Sequence, residues 1–325
     1  MNPKLFEVCV GQVRQLTPRV REYLLTRVDG KALPTWTAGA HIALHLVSPS
    51  RGLLIRHYSL IGGDGLLNDP PHAYRIAVQR EAHGLGSNWI HESFQVGTRL
   101  RIGPPVNGFP LDRSAAKVLL LAGGIGITPL VSMARSLLQR RRPFQMVYCG
   151  RSLDQMAYAQ THEEMCGSVL QLHGGDTGPA LDIPQLLAAQ SADTQVYVCG
   201  PTHFIDAAIA AAHSLNWQPE RLRSEAFVSS VMPGDQPFKV SLKRSGRDVS
   251  VRADESLLDA LSNAQIPVFW DCRKGECGLC ATQVLTHDGQ LVHRDRYLTD
   301  ADKQQGQSIC LCVSRTTGNT LVLDL

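Results

Sequence analysis

Short alternating or apolar runs dominate the first third of the chain: Leu5 to Val13, Arg21 to Arg27, His41 to Val47 and Tyr74 to Gln79. Gly, Pro and Asp punctuate them, and little there holds a helical period. Such a succession predicts a small antiparallel barrel. Near residue 114 the pattern changes. Lys117 to Ala122, Phe144 to Cys149 and Gln195 to Cys199 read as strands, and about Pro129 to Gln139 and Phe204 to His213 as helices. Thr128 is expected to cap the first of these helices, with Pro129 at its first position. Strand–helix alternation implies a parallel sheet with helices on its faces. Ser229 to Pro237 is a linker by composition. Beyond it, Phe238 to Lys243 and Val249 to Arg252 predict a hairpin, Ser256 to Ala264 a short helix and Ser308 to Ser314 a final strand. The expected domains are 1–113, 114–228 and 238–325, with 229–237 between the last two.

The stretch that organises the chain is Asp271-Cys272-Arg273-Lys274-Gly275-Glu276-Cys277-Gly278-Leu279-Cys280. Its C-x4-C-x2-C spacing, followed about thirty residues on by Cys310 and Cys312, is the plant-type [2Fe–2S] ligand pattern. Two irons and two sulfides need four thiolates, three of them from one tight loop that Gly275 and Gly278 allow to bend. A zinc site would pair one C-x2-C with a second, and the chain has none. Cys310 sits at the spacing of simple plant ferredoxins, and both cysteines are expected on one side of the final strand.

Composition narrows the setting. The 325 residues exceed one small domain, and a formal charge of +3, spread along the chain, gives no basic patch for nucleic acid. The apolar runs are too short to cross a membrane, and Met1-Asn2-Pro3-Lys4 lacks a signal peptide's apolar core. The cysteines outside the cluster are scattered, which points to a reducing cytoplasm.

Several stretches carry candidate ligand contacts. In Arg56-His57-Tyr58-Ser59 an Arg can hold a phosphate, a Tyr two residues on lies on the same strand face, and Ser59 offers a hydroxyl. In Gly86-Ser87-Asn88 a glycine turn leads into a helix with Ser87 as the expected cap, a place for phosphate. Gly123, Gly124, Gly126, Thr128 and Pro129 lie between a strand end and a helix start, where a dinucleotide pyrophosphate sits. Cys199-Gly200-Pro201 ends a strand of the same sheet; a buried core cysteine competes with a place beside nicotinamide. Asp176 can meet a ribose hydroxyl, or be a solvated loop carboxylate. Arg151, with Ser152, lies near the edge where a 2′-phosphate would be met.

With these motifs the chain resembles the phthalate dioxygenase reductase family, which includes vanillate demethylase reductases, over essentially its full length. The resemblance implies a multidomain β, α/β and α+β chain: an antiparallel flavin-binding barrel, a parallel-sheet nicotinamide domain and a C-terminal β-grasp plant-type ferredoxin domain. It implies that Arg56, His57, Tyr58, Ser59, Gly86, Ser87 and Asn88 hold FMN, and that Gly123, Gly124, Gly126, Thr128 and Pro129 hold the NADH pyrophosphate. Cys199, Gly200 and Pro201 lie beside the nicotinamide and Phe227 near the flavin. Because the family's fourth ligand precedes Val-Ser-Arg, it points to Cys312, with Cys310 as the alternative. The implied function is passage of electrons from NADH through FMN to the cluster and on to a Rieske-type oxygenase, by a cytoplasmic monomer. NADPH is the alternative donor. A cytochrome P450 or other haem partner, and an iron–sulfur redox sensor, are the alternative readings. Arg273, Lys274 and Glu276 are candidate docking residues around the cluster.

Overall fold

Val8 and Val10, then Tyr23 and Leu25, then Ile42, Leu44 and Leu46 are buried at every second position. That is the period of strands with one face inward. In the computed structural model, which describes residues 5–48, 52–62, 73–82, 84–176, 178–227, 230–232 and 234–325, these runs belong to a six-stranded antiparallel sheet. Its elements are β1 (Phe6–Thr17), β2 (Val20–Arg27), β3 (His41–Ser48), β4 (Gly52–Ser59), β5 (Tyr74–Gln79), α1 (Leu85–Ser93) and β6 (Arg99–Ile102). The strand order is β4-β3-β6-β1-β2-β5. Ile61, just past β4, donates its N–H to Arg75 O in β5 at 2.9 Å, joining the two edge strands into the expected barrel.

A five-stranded parallel sheet follows, ordered β11-β10-β7-β8-β9. It runs β7 (Lys117–Gly123), α2 (Ile127–Gln139), β8 (Phe144–Gly150), α3 (Ala159–Cys166), β9 (Leu170–Gly174), α4 (Ile183–Ala188), β10 (Thr194–Gly200), α5 (Thr202–Ser214) and β11 (Leu222–Ala226). Strand order reverses direction between β7 and β10, and ligands of open α/β sheets bind at the carboxyl side of such a switch.

The chain divides into two compact units, and both of these sheets belong to the first, residues 1–46, 56–81 and 87–227. One hydrophobic core runs through it, from Val20, Ile61 and Phe109 to Leu120, Leu130 and Tyr148. At its centre Glu22 on β2, only 1% exposed, accepts from Arg14 Nε at 3.0 Å, from the Arg75 guanidinium, and from the Tyr158 hydroxyl at 2.6 Å. Burial and the adjacent Glu22 carboxylate push the Tyr158 phenol well up, so it remains the donor.

The second unit, residues 228–325 with 47–55 and 82–86, has its own core around Val240, Leu258, Leu261 and Leu321. Its elements are β12 (Phe238–Leu242), β13 (Arg247–Val251), α6 (Leu257–Asn263), β14 (Ala281–His287), β15 (Leu291–Val292), α7 (Asp300–Gln305), β16 (Ser308–Cys310), β17 (Arg315–Thr316) and β18 (Thr320–Leu323). The main sheet is ordered β13-β12-β18-β14-β16. Ser256 caps α6, its hydroxyl accepting Asp259 N–H at 3.0 Å. The expected strand from Ser308 to Ser314 is shorter: β16 stops at Cys310 and the chain turns over residues 311–313. Cys310 and Cys312 therefore do not alternate along one strand. Among the described residues no helix is long and apolar enough to cross a membrane.

The Glu22 cluster gives a direct test of the first unit. Glu22→Ala should lower its unfolding free energy by about 3–5 kcal/mol, the usual cost of stripping a buried cation of its partner. Urea titration followed by circular dichroism measures this; a loss under about 1 kcal/mol would show that the carboxylate is not a mainstay of the core.

Candidate functional site

Along β4 side chains alternate. His57 turns to stack its ring on His41, centroids 4.9 Å apart at 28°, so it faces away from the side shared by Arg56 and Tyr58. Ser59 is 5% exposed, and its Oγ has no hydrogen-bond partner among the described residues. A buried hydroxyl is normally satisfied, so this orphan fits a bound polar ligand beside the strand end. After β5, Ser87 is the third residue of α1 and not its cap. Its Oγ accepts Glu81 N–H at 3.1 Å, while Asn88 Oδ1 accepts Arg80 Nε at 3.0 Å. Both side chains thus tie the β5–α1 turn together, leaving an anion to the backbone of the helix start.

At the switch between β7 and β10 the glycines divide their work. A Cβ on Gly126 would stand 2.2 Å from Cys199 O, and one on Gly123 would meet Pro201 and Phe204 at 3.0 and 3.1 Å. A Cβ on Gly200 would in turn lie 3.0 Å from Gly123 Cα. These glycines let two backbones close up. Gly124 differs: its φ is +54° and a Cβ there would meet nothing within 4 Å. It is the position where a ligand can come up to bare backbone. Gly124–Gly126 form one 3-10 turn and α2 begins at Ile127, one residue before Thr128, with Gly126 as its cap. Thr128 Oγ1 donates back to Ile125 O at 3.0 Å, and Pro129 is the third helical residue. Fixed φ suits proline anywhere in a first turn, so a cap inferred from Pro129 falls two positions late.

Cys199 is fully buried and pairs in register with Glu225 on β11, itself 3% exposed. Phe227, just past β11, is 38% exposed. Arg151 and Asp176 are exposed on neighbouring loops, brought together by Gly175 N–H donating to Gly150 O at 2.9 Å. They lie beyond β8 and β9, on the far side of β7 from Cys199. Ser152 Oγ, buried beside Arg151, has no hydrogen-bond partner among the described residues; a serine in a loop gives no sequence signal of this.

The cysteine loop folds around its first sulfur. Cys272 Sγ accepts N–H groups of Lys274, Glu276 and Cys277 at 3.3, 3.5 and 3.4 Å. Arg273, Gly275 and Gly278 all have positive φ, at 54°, 75° and 74°. A Cβ on Gly275 would meet Val313 at 2.7 Å, and one on Gly278 the Tyr297 ring at 2.2 Å. Cys280 and Cys312 sulfurs stand 3.3 Å apart, and the thiols of Cys310 and Cys312 hold Cys280 down to about 3. The Gly275 N–H also reaches Cys312. Among the described residues no three His, Cys, Asp or Glu side chains are grouped to enclose one metal ion. Cys272 lies with Cys277, and Cys280 with both Cys310 and Cys312, a set of thiols that suits a two-iron cluster in which each iron takes two thiolates.

Known proteins agree with these two regions. A model of the 2Fe-2S iron-sulfur cluster binding domain matches residues 240–317, and one of the oxidoreductase NAD-binding domain matches 120–172. The chain is 39% identical, over 99% of both chains, to the heme-dependent oxidative N-demethylase beta subunit of Ectopseudomonas mendocina (strain ymp). It is 36% identical to the vanillate O-demethylase oxidoreductase of Pseudomonas sp. (strain HR199), over 99% of this chain and all of that one. Phthalate dioxygenase reductase, solved as a modular structure for electron transfer from pyridine nucleotides to [2Fe-2S], superposes with a TM-score of 0.86 at 30% identity, covering 99% of this chain and 98% of that one. The chain belongs to the phthalate dioxygenase reductase-like family.

Two charges expected on the surface of this family member are instead inside. Arg273 has 9% of its side chain exposed, pairs with Asp259 on α6 at 2.6 Å and lies over the Trp270 ring at 4.2 Å. Lys274 is 8% exposed. The sharp loop turns the Lys274 side chain inward and ties Arg273 to Asp259 and Trp270, while Arg273 and Glu276 keep partial exposure.

Serine replacements test the fourth ligand. Cys312→Ser should lose the iron and labile sulfide, while Cys310→Ser should keep both, with slight destabilisation of β16. Quantitation of iron and sulfide, with visible circular dichroism, decides; the reverse result would assign Cys310.

Proposed function

We propose that this oxidoreductase is the reductase component of a terminal oxygenase system, drawing electrons from NADH and delivering them singly through a [2Fe–2S] cluster. FMN, when bound, takes electrons as a pair and releases them one at a time, and the cluster carries one. Arg56 and the backbone around Gly86, Ser87 and Asn88 hold the FMN phosphate; Tyr58 lies on its ring and the orphaned Ser59 hydroxyl meets a ring polar atom. His57, paired with His41, serves as packing behind that strand. Gly124 opens the backbone to the NADH pyrophosphate, while Gly123, Gly126, Thr128 and Pro129 keep the turn in shape. Cys199, Gly200 and Pro201 border the nicotinamide, Phe227 borders the flavin, and Arg151 and Asp176 face the adenosine end. Cys272, Cys277, Cys280 and Cys312 supply the thiolates. The flavin, nicotinamide and ferredoxin domains are 1–113, 114–228 and 238–325. The chain works in the cytoplasm as a monomer; none of its nine cysteines is disulfide-bonded.

The observation that carries this reading is the cysteine loop: three N–H groups aimed at one sulfur and a second pair of sulfurs 3.3 Å apart. Such a set stabilises anionic thiolates in a buried place. A Rieske oxygenase is the acceptor we favour. Plant-type clusters sit near −400 mV and Rieske centres at about −150 to +300 mV, so transfer runs downhill. A haem-containing oxygenase is the second reading, favoured by the N-demethylase relative.

Anaerobic titration of the purified holoprotein with NADH should bleach the flavin and raise the rhombic EPR signal of a reduced [2Fe–2S] cluster, NADPH doing so at least about tenfold less efficiently. Flavin bleaching with no such signal would leave a simple flavin reductase. A cluster present but unresponsive to NADH would favour a sensor. Mixing the reduced protein with a purified Rieske component and, separately, with a haem component then ranks the two acceptors by rate.

A further inference from the structure

Helix α6 contains no cysteine, yet its first turn touches both halves of the thiol set. Leu258 is its second residue, and an N–H there has no partner within the helix. It donates instead to Leu311 O at 2.9 Å. Leu311 lies between Cys310 and Cys312, is fully buried, and passes its own N–H to Cys280 O at 3.3 Å. Just before the helix, Glu255 O accepts from Arg315 Nη1. One residue on from Leu258, Asp259 Oδ1 accepts Arg273 Nη1 at 2.6 Å, beside Cys272. Asp259 is 2% exposed, and its backbone N–H goes to Ser256 Oγ at 3.0 Å. Leu257, Leu258 and Leu261 anchor the helix in the core of this unit.

The turn that carries the fourth thiol is braced in its own right. Val313 packs where Gly275 lacks a side chain. Ser314 Oγ accepts Arg294 N–H at 3.1 Å and donates to Asp295 Oδ1 at 3.0 Å. Arg315 Nη2 donates to Gln236 O at 3.0 Å and Arg252 O at 2.9 Å, and both arginines pair with Asp235. This turn and α6 make one frame, joined through Leu258 and Glu255. The cysteine loop meets that frame through a side chain: Arg273, held at a φ of 54°, reaches across to Asp259.

We propose that Asp259 is a positioning residue for the cluster, fixing the left-handed turn at Arg273 so that Cys272 and Cys277 are set against Cys280 and Cys312. The proposal rests on the [2Fe–2S] reading above. A non-glycine residue in the left-handed region returns to the right-handed side when nothing holds it. Freed from Asp259, Arg273 has that course open, and the Lys274, Glu276 and Cys277 amides beyond it swing away from Cys272 Sγ. N–H dipoles at a ligand sulfur favour the reduced cluster, which carries the extra negative charge, and steady the thiolate on its iron. Their loss lowers the cluster's potential and speeds release of iron.

The test uses full-length holoprotein: wild type, Asp259→Asn, Asp259→Ala, and Asp259→Asn combined with Arg273→Gly. The two single variants lose the same charge, but asparagine keeps an acceptor oxygen for Arg273. The difference between their cluster potentials, read by EPR-monitored redox titration, therefore reports position, and the alanine variant should lie lower. Iron release to excess chelator should run about tenfold faster than wild type in the alanine variant, the order set by freeing one left-handed residue. The asparagine variant should fall between the two. The double variant leaves neither a strained residue nor an unpaired buried charge, so its thermal midpoint should stay near wild type while iron release again quickens about tenfold. Hydrogen exchange at residues 274–277 should rise with it. Equal potentials and equal release in the asparagine and alanine variants would overturn the positioning role. So would wild-type release from the double variant, or release that quickens only in step with a falling thermal midpoint. Should purified wild type carry no iron or labile sulfide, the cluster reading itself falls; a sound wild-type cluster with indifferent variants removes the role of Asp259 alone.

Discussion

A sulfur meant to bind metal needs N–H dipoles around it, and that requirement shapes the second unit. To aim three amides at Cys272 the loop passes through the left-handed region at Arg273, Gly275 and Gly278. Glycine takes that shape at no steric cost, whereas Arg273 bears about 1–2 kcal/mol. Its ion pair with Asp259 and its seat on Trp270 offset that strain. The space left by the missing side chains of Gly275 and Gly278 is filled by Val313 and Tyr297. Helix α6, the Cys312 turn and the segment before α7 are therefore all packed to suit one loop.

The nucleotide edge obeys a different rule. There the glycines are placed by the close approach of two loops at the strand-order switch, and only Gly124 presents open backbone. This glycine-rich turn is therefore mostly a device for backbone-to-backbone packing, with one position left open. The same separation holds near β4 and α1, where Ser87 and Asn88 look like ligand contacts in sequence yet fasten the turn in space.

Much of this is legible in the sequence because it is local. Cysteine spacing, strand–helix alternation and the punctuation by Gly and Pro need only neighbouring residues, and they give the three-part fold and the family. What escapes depends on distant partners. Glu22 and Tyr158 are 136 positions apart, and nothing near either announces a buried carboxylate. Arg273 and Lys274 read as solvated charges, but the turn of the loop takes them inside. The strand expected through Cys312 stops at Cys310 because the chain turns there, Val313 and Ser314 N–H both donating to Cys310 O, overriding a good β pattern.

Val313-Ser314-Arg315 also bears on how such reductases can be recombined. A chimera that exchanges ferredoxin modules at the obvious boundary, just before Phe238, would join one parent's Asp235 and Gln236 to another parent's arginines. Where the two parents differ there, the graft would carry a mismatched seam beside its own cluster turn. A crossover between Ala226 and Ser230 keeps the acid, the arginines and the thiol turn in one inheritance, which makes the stretch before the first strand part of the exchangeable cassette.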